Sequence, residues 1–522
     1  MIQLHLIQGS AVCQFLVLLW GALYGLYDRS LLARGVRAIA AWWKRWWHGS
    51  VLAHFFFEKD GVLPRSWRDS RLCRGLNLLI NLPAALLHWL YRKLRPVWDD
   101  SFAAQLVFGL GEQVPAVTGW LMLAIMVIPY EQWNNAYALM AYILLALLTI
   151  AGGMRRRSLR LDAGPVGPYI VYFFAAVCLS WPLSLFPALS GRYLFYHITC
   201  ILCVLVVTAT VEREDQLVRL AGFGCLGMAA ASVEGILQRV GGLEVNRAFV
   251  DLSLNADLPS RIYSAYENPN AFAEMLVFLI PVAAGLLLGA RSPWWKLVGL
   301  GSAALGALAL VMTYSRASWV GIAAAAVVFV FLWNRKLLPF CILAALACIP
   351  FLPSHVYNRL LTIFNSGSDG SATSRVYLWE AALGVLRRSP ILGAGLGGDA
   401  ARAAVGEFGT FHGTRGTFTH AHNMYLQLWL EHGLLGMVTF VLASYNAVKQ
   451  GAKAAALPNC PPQARLVIIG VAAAICGSLV SGVADYLFTY PRVMLIFWFT
   501  VSLLLAGVRM AGQNRPSPAA RA

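Results

Sequence analysis

Apolar runs of about 17 to 25 residues recur along most of the chain, separated by short polar breaks, and that is the length a helix needs to cross a bilayer. From about residue 117 the pattern divides into about twelve runs: roughly 117–131, 134–152, 167–187, 193–211, 217–240, 270–290, 296–313, 317–333, 337–352, 423–447, 466–486 and 492–509. The prediction is an all-α polytopic membrane protein. Its spans form two blocks, 117–352 and 423–511, separated by a large loop at 353–422 and followed by a tail at 512–522. No internal repeat is visible.

Charge orients the bundle. Arg155–Arg157 and Arg160, Arg213 and Arg219, Arg291 and Lys296, Arg335 and Lys336, and Lys449, Lys453 and Arg465 fall at alternate junctions. Cytoplasmic loops carry the basic excess, so these junctions and the tail are expected inside. The opposite face receives the loop at 241–269, the turn Thr313–Arg316 and the loop at 353–422. Long loops usually carry function. This one has a Gly/Ser-rich middle, Asn365–Ser371, and a flank, Thr373–Arg388, with Val376, Trp379, Leu383 and Leu386 at helical spacing. A partly helical lid on the outer surface is expected.

Residues 1–116 differ. An apolar stretch, 11–27, is followed by Asp28, Arg29 and Arg34, the charge order of an uncleaved anchor and not of a signal peptide. Trp42-Trp43-Lys44-Arg45-Trp46-Trp47 suits a lipid headgroup layer. Leu76–Tyr91 is short for a span and contains Pro83. This region reads as a basic, Trp-rich extension on the cytoplasmic membrane surface.

Composition agrees. The chain is 59% hydrophobic and 12% charged, where soluble domains run near a quarter charged. The net charge of +17 points to topology and anionic lipid, not nucleic acid. The ten cysteines lie mostly in apolar runs. Cys200 and Cys203, although a C-x-x-C pair, read as small core residues, and no disulfide framework is visible.

Candidate chemistry collects on the outer face. His422 opens a membrane helix at the water boundary and can take or give a proton near neutral pH. His420 is two residues away, which is not same-face helical spacing, so a metal pair is not expected. Arg316 joins two apolar runs with almost no linker, and an ionisable residue held there is a functional candidate. Arg261 precedes another span, in the stretch Arg261–Asn270, and Arg375 lies beside Trp379 in the lid. Guanidinium groups suit phosphate oxygens, and a histidine beside them suits deprotonation of a hydroxyl. Together they suit displacement of a pyrophosphate from a sugar by an acceptor hydroxyl. No Asp-x-Asp accompanies them, so no metal and no cofactor are expected. A lipid-linked sugar transporter is the competing class, but the spans carry few charges, chiefly Glu234 and Asp485.

His422-Asn423, nine residues, then Gly433-Leu434-Leu435-Gly436 resembles the O-antigen ligase and O-antigen polymerase superfamily. Ser315-Arg316, Arg261–Asn270, Arg375–Glu380 and Pro390–Gly397 are similar to that family's pattern in order and spacing, over about residues 117 to 510. The resemblance implies a bacterial inner-membrane glycosyltransferase of the GT-C type, with twelve spans and a large periplasmic loop. Its donor would be an undecaprenyl-pyrophosphate-linked glycan, used without a metal. The acceptor would be lipid A-core, as in a ligase, a growing glycan, or a protein hydroxyl. His422 would be the base, with Arg316 and Arg261 gripping the pyrophosphate. Arg375, Asn423, Tyr266 and Asn268 are further substrate-binding candidates. Met437 stands where ligases tend to have Ser or Thr.

Overall fold

The computed structural model describes residues 18–513 apart from 19–20, 23–24, 27, 50–60, 157–160, 243, 245–258, 365–369 and 409–417. The apolar stretch at 11–27, most of the loop at 241–269 and the Gly/Ser-rich middle of the lid therefore lie largely outside the described residues. Among the described residues the chain is helical and has no strand. Contacts divide it after Ser66. In the first unit Leu31–Gly49 (α1) is strongly amphipathic, with Trp42 and Trp46 exposed and an Arg37–Asp28 ion pair.

The second unit opens with Arg71–Ile80 (α2), Leu82–Lys93 (α3), Arg95–Asp100 (α4), Phe102–Glu112 (α5) and Val114–Val127 (α6). Residues 67–116, read from the sequence as part of the extension, pack within this unit. Trp67 Nε1–H donates to the Ala163 carbonyl at 3.0 Å, and Asn81 Nδ2–H donates to that of Leu161 at 2.8 Å. The unit continues with Asn135–Arg156 (α7), Pro168–Ser180 (α8), Pro187–Thr210 (α9), Glu214–Val240 (α10), Pro269–Gly289 (α11) and Pro293–Met312 (α12). Arg316–Asn334 (α13), Leu338–Cys348 (α14), Ser354–Phe364 (α15), Gly370–Arg388 (α16) and Gly398–Phe408 (α17) follow, and Met424–Ala455 (α18), Pro462–Ser481 (α19) and Pro491–Gln513 (α20) complete it.

Proline begins α8, α9, α11, α12, α19 and α20. Its missing N–H costs nothing in a first helical turn, and its fixed φ suits that position. Apolar runs thus start sharply at polar loops.

Nine helical runs among the described residues are long and apolar enough to cross a membrane, or ten if α5 and α6, bent by 72°, count as one. The expected third span forms only the 13-residue α8. The expected eighth and ninth spans fall within one continuous run, Arg316–Phe351. That run reverses at the 3-10 turn Arg335–Leu337, because Tyr314 meets His355 with ring centres 5.9 Å apart and Arg316 reaches Thr362. The returning arm, α14, has no buried residue, as suits a lipid-facing surface.

The core sits among α11, α19 and α20, whose most apolar windows are 78%, 72% and 89% buried. Small residues bring their backbones close, the packing device that works without a hydrophobic drive between helices. A Cβ on Gly285 would lie 2.3 Å from the Leu466 carbonyl, and one on Gly470 would lie 2.5 Å from that of Pro281.

One local feature fixes the site. Helix α18 kinks at Gly433 (φ 69°, ψ 177°), a conformation essentially restricted to glycine. The kink breaks the helical bond between Leu434 N–H and Leu430 C=O, and both groups need partners. The Pro390–Gly397 segment supplies them. Leu434 N–H donates to the Ile391 carbonyl at 2.9 Å, and Ala394 N–H donates to the Leu430 carbonyl at 2.6 Å. Gly393 (φ 71°) lets this segment approach, since a Cβ there would stand 2.4 Å from Leu430 O. Two sequence motifs about forty residues apart are therefore one interlocked structure.

Candidate active site

Helices α7, α9, α11, α13, α18 and α20 all begin at one end of the bundle, and their first residues surround a cavity of about 730 Å³. Helix N-termini present unpaired N–H groups and partial positive charge, which favours anions. Six arginines line the cavity: Arg192, Arg261, Arg316, Arg359, Arg375 and Arg402. His420, His422, Asp399, Glu267, Glu431 and Asp485 share the wall.

His422 sits in the loop before α18 at φ 44°. Among the described residues only Ser264, Tyr314 and His422 are non-glycine residues with positive φ. They occupy the loops before α11, before α13 and before α18, and strained backbone of this kind clusters at functional sites. The loop is braced on all sides. Trp379 Nε1–H donates to the Ala421 carbonyl at 2.8 Å, and Ala421 N–H donates to Gln427 Oε1 at 2.8 Å. Gln427 Nε2–H holds Glu431 at 2.6 Å, and Tyr486 Oη–H donates to the other Glu431 oxygen at 2.9 Å.

His422 Nδ1–H donates to Asp485 Oδ1 at 3.2 Å, with His422 28% and Asp485 5% exposed at the side chain. A carboxylate can only accept, so Nδ1 carries a proton, and in the neutral ring Nε2 is then the nitrogen with the lone pair. Burial alone would raise the Asp485 carboxyl. The His422 ring, then His420 and Arg375, more than reverse that and hold it below the usual carboxylate range. His420 lies with its ring centre 4.0 Å from that of His422 and accepts the His422 backbone N–H on Nδ1 at 3.2 Å. Burial, with His422 beside it, lowers His420 to about 3, so it is neutral at working pH.

Arg261 Nε–H donates to the Thr313 carbonyl at 2.7 Å, and its Nη2–H to Asn270. Burial, then Arg359, Arg316 and Arg375 nearby, lower it to about 9 despite Asp485. Arg316 Nη1–H donates to Thr362 Oγ1 at 3.1 Å. Arg402 Nε–H holds the Phe418 carbonyl at 3.1 Å, and Arg192 pairs with Asp399, joining α9 to α17.

The cavity brings together His422, Arg316, Arg261, Arg375 and Asn268 of the residues singled out from sequence. Asn268 also caps α11, accepting from Asn270 N–H at 2.7 Å. Two others lie off it. Asn423 is the N-cap of α18: Oδ1 accepts from Leu426 N–H at 3.0 Å and Nδ2–H donates to the Val483 carbonyl at 3.0 Å. Its place beside the histidine is explained by helix capping. Tyr266 is buried against Phe272 and Arg492. Asp485 was visible in sequence only as a charge at the end of a span, and Arg192, Arg359 and Arg402 were not singled out. Charge at apolar-run ends on the histidine's face was the available signal for Asp485 and Arg192.

His420, His422 and Asp485 offer ligand atoms within 4.8 Å of one another and could grip a cation. The fit is poor. His420 Nδ1 and Asp485 Oδ1 already accept backbone and ring N–H groups, and the surrounding guanidiniums oppose a further positive charge.

The helical bundle with this cavity is that of a multi-pass membrane protein, and the O-antigen ligase family model matches residues 301–441. Those residues carry Arg316, Arg359, Arg375, His420 and His422, and the match supports the likeness to the O-antigen ligase and polymerase superfamily. The chain is also similar to the exopolysaccharide production protein ExoQ of Rhizobium meliloti (strain 1021), 24% identical over 321 residues, which cover 58% of this chain and 68% of that protein.

Proposed function

We propose that the protein moves a glycan from undecaprenyl pyrophosphate to an acceptor hydroxyl at the outer face of the bacterial cytoplasmic membrane. The observation that carries this is one cavity holding a carboxylate-braced imidazole and six guanidiniums at a ring of helix N-termini. The basic junctions at the opposite end of the bundle support an outward-facing cavity. In the reaction, His422 Nε2 takes the proton of the acceptor hydroxyl as its oxygen bonds to the anomeric carbon. The bond from that carbon to the pyrophosphate breaks, and its electron pair leaves on the pyrophosphate. Arg316 and Arg261, with Arg359 and Arg375 close by, hold the charge that develops there. Asp485 keeps the His422 tautomer and stabilises the imidazolium formed.

A ligase-type single transfer is the first reading. Similarity to an exopolysaccharide production protein supports a second, in which the acceptor is a growing glycan. Purified protein is incubated with a lipid-linked glycan and each acceptor in turn. One addition to lipid A-core marks a ligase, a ladder marks a polymerase, and glycan on a protein hydroxyl marks an O-oligosaccharyltransferase. His422→Ala should insert normally and transfer nothing. Normal transfer by that variant removes the base assignment.

A further inference from the structure

Beside the main cavity lies a smaller one of about 50 Å³, and four of its nine lining residues, Asn135, Glu267, Tyr490 and Pro491, line both. It is an annex, and Arg492 and Tyr266 form part of its wall. Arg492 is 6% exposed and firmly held. Its Nη1 donates to the carbonyls of Ile128 at 2.8 Å and Ala265 at 2.9 Å, and its guanidinium carbon lies 5.4 Å from the ring centres of both Trp133 and Tyr266.

Two buried polar atoms at this wall have no partner among the described residues: Arg492 Nη2 and the hydroxyl of Tyr266, itself 2% exposed. Leaving such groups unsatisfied is costly, and each calls for an explanation. Here the guanidinium N–H calls for an acceptor, and the tyrosine hydroxyl can be met by a donor or an acceptor.

We propose that the annex receives the acylamino substituent of a sugar seated in the main cavity, a subsite that deepens, and rests on, the glycan-transfer reading. The amide C=O accepts from Arg492 Nη2–H, the amide N–H donates to Tyr266 Oη, and the acyl methyl lies against Trp133. Size agrees. A water-sized group needs roughly 10–15 Å³ by this measure, so the annex takes about four heavy atoms, the number in an acetamido group. A sugar ring does not fit. A carboxylate fits less well, because Glu267 lines the annex and Glu234 also faces Arg492, so that cation's charge is already opposed.

The test is direct binding to the full-length protein in detergent, with the N-acetylglucosamine trisaccharide and the matching glucose trisaccharide as probes. Wild type should bind the acetamido sugar at least roughly tenfold more tightly, as one charge-assisted and one neutral hydrogen bond allow. Tyr266→Phe, which removes only the oxygen, should bring the ratio towards one, as should Arg492→Lys if it folds. Equal affinity for the two sugars in wild type, including no binding of either, overturns the proposal. So does a ratio untouched by Tyr266→Phe, which would mean that the annex holds water only. The readout is binding, so it stands or falls separately from the transfer assay above.

Discussion

Asp485→Asn is the sharpest probe of the proposed chemistry. The change is nearly isosteric in a side chain 5% exposed, so packing is preserved. It removes the negative charge that faces His422 Nδ1 at 3.2 Å. A hydrogen bond to a charged group contributes about 1.5–3 kcal/mol, and each 1.36 kcal/mol is tenfold in rate. The loss is therefore roughly 10- to 150-fold if the asparagine oxygen still faces the ring. If its NH2 faces the ring instead, Nδ1 becomes the acceptor, Nε2 carries the proton, and the base is lost altogether. The assay is transfer from a lipid-linked glycan in nanodiscs, with kcat and donor KM measured separately. kcat should fall and KM change little, since no guanidinium is touched. Because the folded carboxyl lies below its unfolded value, its stabilising contribution is complete above about pH 4. It is lost only as the pH falls through the depressed folded value. A variant within twofold of wild-type kcat would refute the imidazole–carboxylate mechanism.

Other outcomes follow from the same geometry. Arg316→Lys keeps a charge but loses the planar fork, so donor KM should rise and kcat fall, at least tenfold together; full activity would leave Arg316 with a purely topological role. Gly433→Ala puts a Cβ 2.3 Å from the Ile391 carbonyl at φ 69°, and strain of this class costs about 1–3 kcal/mol before the clash is counted. Lower Tm and yield are expected, and a wild-type melting curve would contradict the interlock of α18 with Pro390–Gly397. Transfer should survive EDTA; loss restored by a divalent cation would reassign His420, His422 and Asp485 as ligands.

Periodicity made the bundle legible because helices in lipid must be long and apolar, and proline at the run starts made their edges sharp. It misled where length was not the issue. Residues 67–116 are basic enough to read as surface, yet Trp67, Asn77 and Asn81 hydrogen-bond to 161–163, and Gly111 packs against Leu148 and Gly152. The arginines at 261 and 316 could be read from their positions at run ends, and Arg375 from its place beside Trp379 in the lid. Arg359 and Arg402 could not, because a charged residue in a polar loop is unremarkable until the fold turns it inwards. Asn423, a substrate-binding candidate from its place beside the histidine, has a structural role that the sequence reading did not assign: it caps α18. Asp485 needed the third dimension, since 63 positions separate it from the ring it holds.

The backbone exchange between Pro390–Gly397 and the broken turn of α18 bears on how a bulky lipid-linked donor gets in. A doorway needs slack, and here any outward swing would strand the carbonyl of Leu430 and the amide of Leu434 without partners. On the proposed reading that flank is a fixed doorpost. The traffic of prenyl-borne head groups would then pass elsewhere on the cavity's rim, such as the side where Thr362 on α15 rests on Arg316.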